Sequence, residues 1–317
     1  MTQSPKNSGY RGRFAPSPTG PLHFGSLVAA LGSYLDARRH DGIWLLRMED
    51  VDTPRVVAGA ADAILHALEA YGFEWDGEVM YQSRRNEAYQ AALERLQAQG
   101  LVYACHCSRK QLAETARRGI DGLVYSGLCR NRPPMPEPAA LRLIVPAQRI
   151  VFDDAWQGRV ACDLHTESGD FVLKRADGIY AYQLAVVVDD AEQGISDIVR
   201  GADLLTSTPR QIALQHYLGL PTPHYLHLPV VLDAAGDKLS KQTLAAPIDP
   251  KRPLAALLMA LRFLGIGPVR PVASLDEFWA QARELWAGAG FALRGRRPVE
   301  AGAIVPEATA ALSGNVE

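Results

Sequence analysis

RGRFAPSPTGPLHFGS, residues 11–26, decides how the rest of the chain is read. It starts as a short strand, breaks on Pro16, Pro18, Gly20 and Pro21, and opens into a helix at Gly25. There Leu27, Ala30, Leu31, Tyr34 and Leu35 recur at helical spacing. Arg13, Ser17 and His23 therefore fall on the turn between a first strand and its helix. In a parallel α/β sheet that turn lies at the carboxyl edge of the strands, where ligands bind. The helix start offers unpaired N–H groups and a positive dipole end, which suit a phosphate. Gly25 lets a ligand approach the backbone closely.

Ile43-Trp44-Leu45-Leu46-Arg47-Met48 reads as a buried parallel strand that ends in Glu49-Asp50, again at the ligand edge. Thr53-Pro54 has the chemistry of a helix start, and helices are expected over about 54–71 and 84–99. Strand, helix and strand in that order imply the first half of a doubly wound sheet, residues 1–100. From 101 to 190 the texture changes to a cysteine cluster, the linker-like RNRPPMPEP and short β segments. Segments 171–174 and 179–188 flank Arg175-Ala176-Asp177-Gly178, which reads as a hairpin turn. This region is expected to be an insertion between the two halves of the fold. Alternating texture returns over 191–245, with a strand at 197–200, a helix capped by Thr208-Pro209 and running to about 218, and a strand at 225–232. Residues 246–317 are expected to be helical, at about 253–264 and 275–287, with capping-box spacing from Ser274 to Glu277. The last thirty residues are poorly patterned.

The chain has 317 residues, is 48% hydrophobic and carries a formal net charge of −2. That excludes a blanket polyanion binder, so any nucleic acid must be held by a local basic face. Arg38/Arg39, Arg84/Arg85, Arg109/Lys110 and Arg117/Arg118 are the candidate pairs. The amino terminus is polar and has no signal-peptide core, and no run approaches the ~18 apolar residues of a membrane span. A cytoplasmic protein is expected, and a monomer, since no long heptad run or apolar stripe is visible.

Cys105, Cys107 and Cys129 cluster, whereas Cys162 stands apart in a β segment. Thiolates grouped in a reducing compartment favour one zinc ion in a closed, structural site. His106 is an ordinary zinc ligand by chemistry, but adjacent residues of an extended stretch point opposite ways, which turns it from Cys105 and Cys107.

Residues 11–26 resemble the nucleotide-binding signature of class I aminoacyl-tRNA synthetases. His23-Phe24-Gly25-Ser26 stands at that class's "HIGH" tetrapeptide, and RFAPSPTG looks like its glutamyl branch. Asp237-Lys238-Leu239-Ser240-Lys241-Gln242 resembles the "KMSKS" loop. Two ammonium groups on a mobile loop can neutralise the charge that builds on the α-phosphate and pyrophosphate as an adenylate forms. Ser26 replaces the final histidine of the first motif and Gln242 the final serine of the second, leaving Lys241 the clearer phosphate ligand.

The resemblance implies a Rossmann-like class I catalytic domain. His23, Lys238 and Lys241 would be catalytic, and His23, Gly25, Ser26, Ser240 and Lys241 would bind ATP with Mg²⁺. Arg13, Ser17, Glu49, Tyr182 and Arg200 would hold L-glutamate, Glu49 on its α-amino group. A pocket with arginines for carboxylates should reject glutamine. By the same resemblance the fourth zinc ligand is Tyr125, giving Cys105, Cys107, Tyr125 and Cys129, and the zinc staples the insertion that presents tRNA.

Ordinary glutamyl synthetases carry a further helical region that reads the anticodon, and residues 246–317 are too few for one. The resemblance covers about 1–250. This architecture is similar to the glutamyl-Q tRNA(Asp) synthetases, a family that activates glutamate without tRNA. Its members esterify glutamate onto queuosine in the anticodon stem-loop of tRNA(Asp), an unstacked loop base being a usual target of RNA recognition. A minimal glutamyl-tRNA synthetase charging a 3′ end and a catalytically silent tRNA-binding paralogue are the competing expectations.

Overall fold

The structure is a computed structural model that describes residues 9–115, 117–119, 122–132, 138–145, 147–231, 246–267 and 270–289. In the first half, β1 (Arg11–Phe14), α1 (Phe24–Arg39), β2 (Ile43–Met48), α2 (Ala60–Ala70), β3 (Met80–Tyr81) and α3 (Asn86–Ala98) follow one another. β1 pairs in parallel with β2, Arg13 opposite Leu45, and β2 with β3, Arg47 opposite Met80. The five residues of β2 from Trp44 to Met48 are all buried, as its nearly unbroken apolar run requires of a strand covered on both faces. All five periodic residues of α1 are buried too. Gly32 of α1 lies so close to Leu228 that a Cβ there would sit 2.5 Å from its Cδ1, so the helix packs down on the sheet.

The helix expected from residue 54 forms later. Thr53–Arg55 is one 3₁₀ turn that no side chain caps. Val56 is then extended, the Val57 N–H donates to the Pro18 carbonyl at 3.0 Å, and α2 begins only after Gly59 at φ 74°. A tertiary hydrogen bond to the first turn takes the donor that a continuing helix would have used.

The stretch 101–190 divides among several bodies. It contains β4 (Val102–Cys105), α4 (Arg109–Thr115), β5 (Arg117–Gly119), β6 (Gly122–Val124), β7 (Ala140–Leu143), β8 (Arg149–Asp154), β9 (Gly158–Asp163), α5 (Leu164–Glu167) and β10 (Val172–Lys174). β10, β7 and β4 make an antiparallel sheet, and β5 pairs with β6. Residues 133–137 of the proline-rich linker lie outside the described residues.

The turn at 175–178 is present, with the Arg175 N–H on the Ile179 carbonyl at 2.8 Å. The segment after it is not a strand as expected, because Tyr182–Glu192 is a helix, α6. An apolar run such as 184–188 has no periodicity to separate a buried strand from a buried helix. Here Gln183, Asp189 and Asp190 are also buried, which places partners on several sides, as a helix allows.

The chain then forms β11 (Asp197–Gly201), α7 (Thr208–Leu218) and β12 (His224–Leu228). β11 and β12 are parallel, and the hairpin β8/β9 joins the β12 edge through Tyr225 and Asp154. The Ser196 N–H donates to the Arg11 carbonyl at 3.0 Å, and Ser196 Oγ accepts the Arg11 N–H at 2.8 Å, so β11 lies beside β1. The spatial order is thus β3-β2-β1-β11-β12. The order reverses between β1 and β11, which is where a doubly wound sheet opens a ligand crevice. Arg13 and Arg200 are the penultimate residues of these two strands.

α8 (Pro253–Phe263) and α9 (Leu275–Ala289) pack against α1. The expected Ser274 cap is there, with the Glu277 N–H donating to Ser274 Oγ at 3.2 Å, while Glu277 Oε2 reaches one residue further back and accepts the Ala273 N–H at 2.8 Å. Residues 290–317 lie outside the described residues, and among those described no helix is long and apolar enough to cross a membrane.

Candidate active site and cysteine cluster

The crevice at the β1/β11 junction is a cleft of about 310 Å³. Arg13, Ser17, His23, Gly25, Ser26, Glu49, Tyr182 and Arg200 all line it. His23 caps α1: its Nδ1 accepts the Ser26 N–H at 3.2 Å, and its Nε2 lies 3.1 Å from Ser26 Oγ. With Nδ1 accepting, the proton belongs on Nε2 and points to the hydroxyl. Ser26 thus clasps the imidazole at both nitrogens. Lys238, Ser240 and Lys241 lie outside the described residues, although 229–231, which lead toward them, line the cleft.

The arginines of the cleft are held differently. Arg13 donates through Nε and Nη2 to Asp190 of α6, at 3.0 and 3.3 Å. The wholly buried Arg47 donates to the same carboxylate at 2.8 Å, to Gln193 at 2.7 Å and to Glu49 at 3.4 Å. Burial raises the Asp190 pKa, but Arg13 and then Arg47 outweigh it and hold the carboxyl below its usual range. Burial pushes the Glu49 carboxyl up, against the opposing pull of Arg47 and Arg13.

Arg200 has neutral partners. Its guanidinium donates to His227 Nε2 at 3.1 Å, Thr208 Oγ1 at 2.9 Å, Gln211 Oε1 at 2.7 Å and Tyr182 Oη at 3.4 Å. Of the three buried guanidiniums, Arg13 and Arg47 pair with Asp190, Arg47 also reaches Glu49, and Arg200 pairs directly with no carboxylate among the described residues. Asp203, also on the cleft wall, is exposed. A buried cation without a counter-ion is costly, and the arrangement suits an entering anion.

A second chamber of about 690 Å³ shares Ser17, Glu49 and Tyr182 with the first. Val51, Asp52, Arg175, Ile179 and Tyr180 line it, with Gln82 in its wall. Gln82 donates through Nε2 to Asp189 at 2.8 Å, and its buried Oε1 has no partner among the described residues. Arg175 spans from the 175–178 turn to Asp52 at 3.2 Å.

Sequence reading missed Arg47, Asp190, Asp154, His227 and Gln82. A single arginine inside an apolar strand and paired aspartates ending an apolar run are the available signals, since buried charge must be compensated. Two candidate RNA-binding pairs are at least partly spent inside the protein. Arg38 donates to Asp76 at 2.9 Å, and Arg85 donates to Asp189 at 2.6 Å and to Glu192.

Cys105, Cys107 and Cys129 present sulfurs all within 4.8 Å of one another. The Tyr125 hydroxyl stands 3.5 Å from Cys105 Sγ and 3.4 Å from Cys107 Sγ, and it accepts the Cys129 N–H at 2.9 Å. His106 is not part of this group. Burial raises the Cys129 thiol, but hydrogen bonds from Tyr125, the His106 backbone and the other thiols bring it down to about 7. Three soft thiols and a phenol oxygen converging on one point fit a closed zinc site.

A profile of the tRNA synthetases class I (E and Q), catalytic domain, matches residues 10–268. The chain is 60% identical over 282 residues to the glutamyl-Q tRNA(Asp) synthetase of Chromobacterium violaceum, covering 89% of this chain and 95% of that protein. It is 60% identical over 285 residues to that of Dechloromonas aromatica, covering 88% and 95%. A glutamate-tRNA synthetase structure from Elizabethkingia anophelis superposes with a TM-score of 0.71 at 27% identity, covering 87% of this chain and 66% of that one.

Proposed function

This chain belongs to the class I (E and Q) tRNA synthetases and, within them, to the glutamyl-Q tRNA(Asp) synthetases; it is a ligase, and we propose that it glutamylates queuosine in the anticodon of tRNA(Asp). Glutamate is first activated without tRNA. A carboxylate oxygen of its α-carboxyl attacks the α-phosphorus of ATP, and pyrophosphate leaves. A hydroxyl of the queuosine ring then attacks the acyl carbon of the adenylate, losing its proton as AMP leaves with the bond's electrons.

The observation that carries this reading is Arg200, a buried guanidinium with no anionic partner among the described residues, in a cleft shared with Glu49. Arg200 takes a substrate carboxylate with Tyr182 beside it. Arg13, already neutralised by Asp190, offers its remaining donors with Ser17. Glu49 takes the α-ammonium, whose charge favours the ionised carboxyl that burial alone disfavours. Ser26 holds His23 at the α1 N-terminus, where Gly25 leaves the backbone open to phosphate. Lys238 and Lys241, with Ser240, supply positive charge to the leaving pyrophosphate, and Mg²⁺ accompanies ATP.

The acyl acceptor must reach the adenylate from a side the nucleotide leaves open. The larger chamber meets the amino-acid pocket at Glu49 and Tyr182, so it is the entry of the queuosine nucleoside. Cys105, Cys107, Tyr125 and Cys129 hold one zinc, which cross-links the insertion and takes no part in the chemistry.

Glutamate-dependent ATP–pyrophosphate exchange without tRNA, followed by transfer of labelled glutamate to tRNA(Asp) with and without queuosine, tests the reading. Exchange plus transfer only to the queuosine form is expected. Transfer to the 3′ end of tRNA(Glu) would instead make the chain a minimal glutamyl-tRNA synthetase, and absence of exchange would leave a tRNA-binding paralogue.

A further inference from the structure

Among the described residues Arg200 has no carboxylate bound to it, yet Asp154 lies one imidazole away. Asp154 ends β8, and His227 lies inside β12, where the two strands meet. Asp154 Oδ2 is 2.6 Å from His227 Nδ1, with both side chains at 0% exposure. Asp154 also accepts the His227 N–H at 3.1 Å, and its Oδ1 accepts those of Trp156 and Gln157 at 2.9 and 2.8 Å. On the far side of the ring, His227 Nε2 faces Arg200 Nε at 3.1 Å.

The proton positions follow from the partners. Arg200 Nε can only donate, so Nε2 must accept. The carboxylate can only accept, so Nδ1 must carry the proton. Thr208 Oγ1, 3.1 Å from Nε2, accepts from Arg200 Nη2 and directs its own proton to the Leu204 carbonyl at 3.2 Å. It therefore does not compete for the Nε2 lone pair.

We propose that Asp154 and His227 are positioning residues for Arg200, with Asp154 fixing the imidazole tautomer whose bare Nε2 fixes the guanidinium. The proposal rests on the reading of Arg200 as the receiver of a substrate carboxylate. A carboxylate placed directly on Arg200 would hold it as firmly but would cancel the charge that the substrate needs. A neutral imidazole orients the guanidinium and leaves that charge in place. Burial favours the neutral ring, and the Arg200 charge opposes a second cation beside it, against the opposite pull of Asp154. Held this way, Arg200 turns Nη1 toward Tyr182 in the cleft wall. The hairpin β8/β9 thereby reaches the amino-acid pocket through the carboxylate of Asp154.

Asp154→Asn tests this with an isosteric change. Asn Oδ1 can keep the backbone N–H groups of Trp156 and Gln157, while its amide faces Nδ1 and drives the ring proton to Nε2, where two donors then oppose each other. The expected result is a KM for glutamate in ATP–pyrophosphate exchange raised about tenfold or more, the scale of one lost charged hydrogen bond. The KM for ATP should stay within about twofold, and the ¹⁵N signals of His227 should change from the Nδ1–H to the Nε2–H form. An unchanged glutamate KM with the proton moved, or a wild-type ring already protonated at Nε2, overturns the proposal. If Asp154→Asn does not fold, His227→Gln should bind glutamate better than His227→Ala, because its amide oxygen can still accept from Arg200, and equal KM values overturn the proposal. Arg200→Ala separates the two failures: an unchanged glutamate KM there means that the reading of Arg200 itself is wrong.

Discussion

Arg13 and Asp190, separated by 177 positions in the chain, meet in a two-point ion pair that ties the end of β1 to α6. Both side chains are almost completely buried, and Asp190 also receives Arg47. The carboxylate thus joins the two halves of the fold directly beneath the candidate pocket.

Removing that carboxylate should be severe. Asp190→Asn leaves two buried guanidiniums without their shared anion, and a loss of about 3–5 kcal/mol in unfolding free energy is expected near neutral pH. The folded state holds the Asp190 carboxyl below its usual range, so its contribution is complete above the unfolded value of about 3.9 and is lost as pH falls through the lower folded value. Urea unfolding of both proteins across that range should show the gap narrowing below pH ~4. A gap that stays constant would mean that the stability of Asp190 does not depend on its ionisation.

Arg200 should govern the choice of amino acid. Glutamine cannot supply the anion that its guanidinium lacks, and binding it costs roughly 2–5 kcal/mol relative to glutamate. Arg200→Gln should weaken glutamate activation and erase most of the preference for it. Exchange assays with both amino acids measure this, and a preserved preference would move discrimination to Arg13.

Lys241 carries the clearest expectation for the KLSKQ segment. Lys241→Ala should lower ATP–pyrophosphate exchange by roughly 10²–10³, with an unchanged unfolding midpoint, since one charge donor to the developing transition state is lost. Exchange at the wild-type rate would remove this segment from the phosphate site.

Metal analysis of the purified protein should return one zinc per chain. Cys129→Ser should release it and lower the melting temperature, while tRNA-independent exchange continues, because the cluster stands apart from the residues lining the cleft. Loss of exchange in a variant that remains folded would give the metal a role in activation.

Much of the frame could be read locally. Residues 11–26 contain their own strand break and helix start, and Ser274 and Glu277 form their cap, because turns and caps depend on neighbours in sequence. Pro209 stands in the first turn of α7, but Thr208 does not cap it, being already helical after Ser207 with its hydroxyl on the Leu204 carbonyl. The Cys105, Cys107 and Cys129 cluster was legible for a similar reason, as thiols placed in one short region have few uses there. Two local signals were overridden: Val57 gave its N–H to Pro18 instead of a helix, and the apolar run after Tyr182 became α6.

The sequence by itself therefore determined the strand–turn–helix at residues 11–26, the residue types available to a carboxylate and phosphate pocket, and the family to which they belong. Only the tertiary structure decided which arginine remains uncompensated. Arg13 and Arg200 are equivalent as letters, both penultimate in a strand at the sheet's switch point. Asp190 arrives on α6 to neutralise Arg13, whereas a neutral His227, backed by Asp154, meets Arg200. Charge compensation in a buried site depends on which distant groups packing brings within hydrogen-bond reach, and that distance is not encoded in the spacing of residues along the chain.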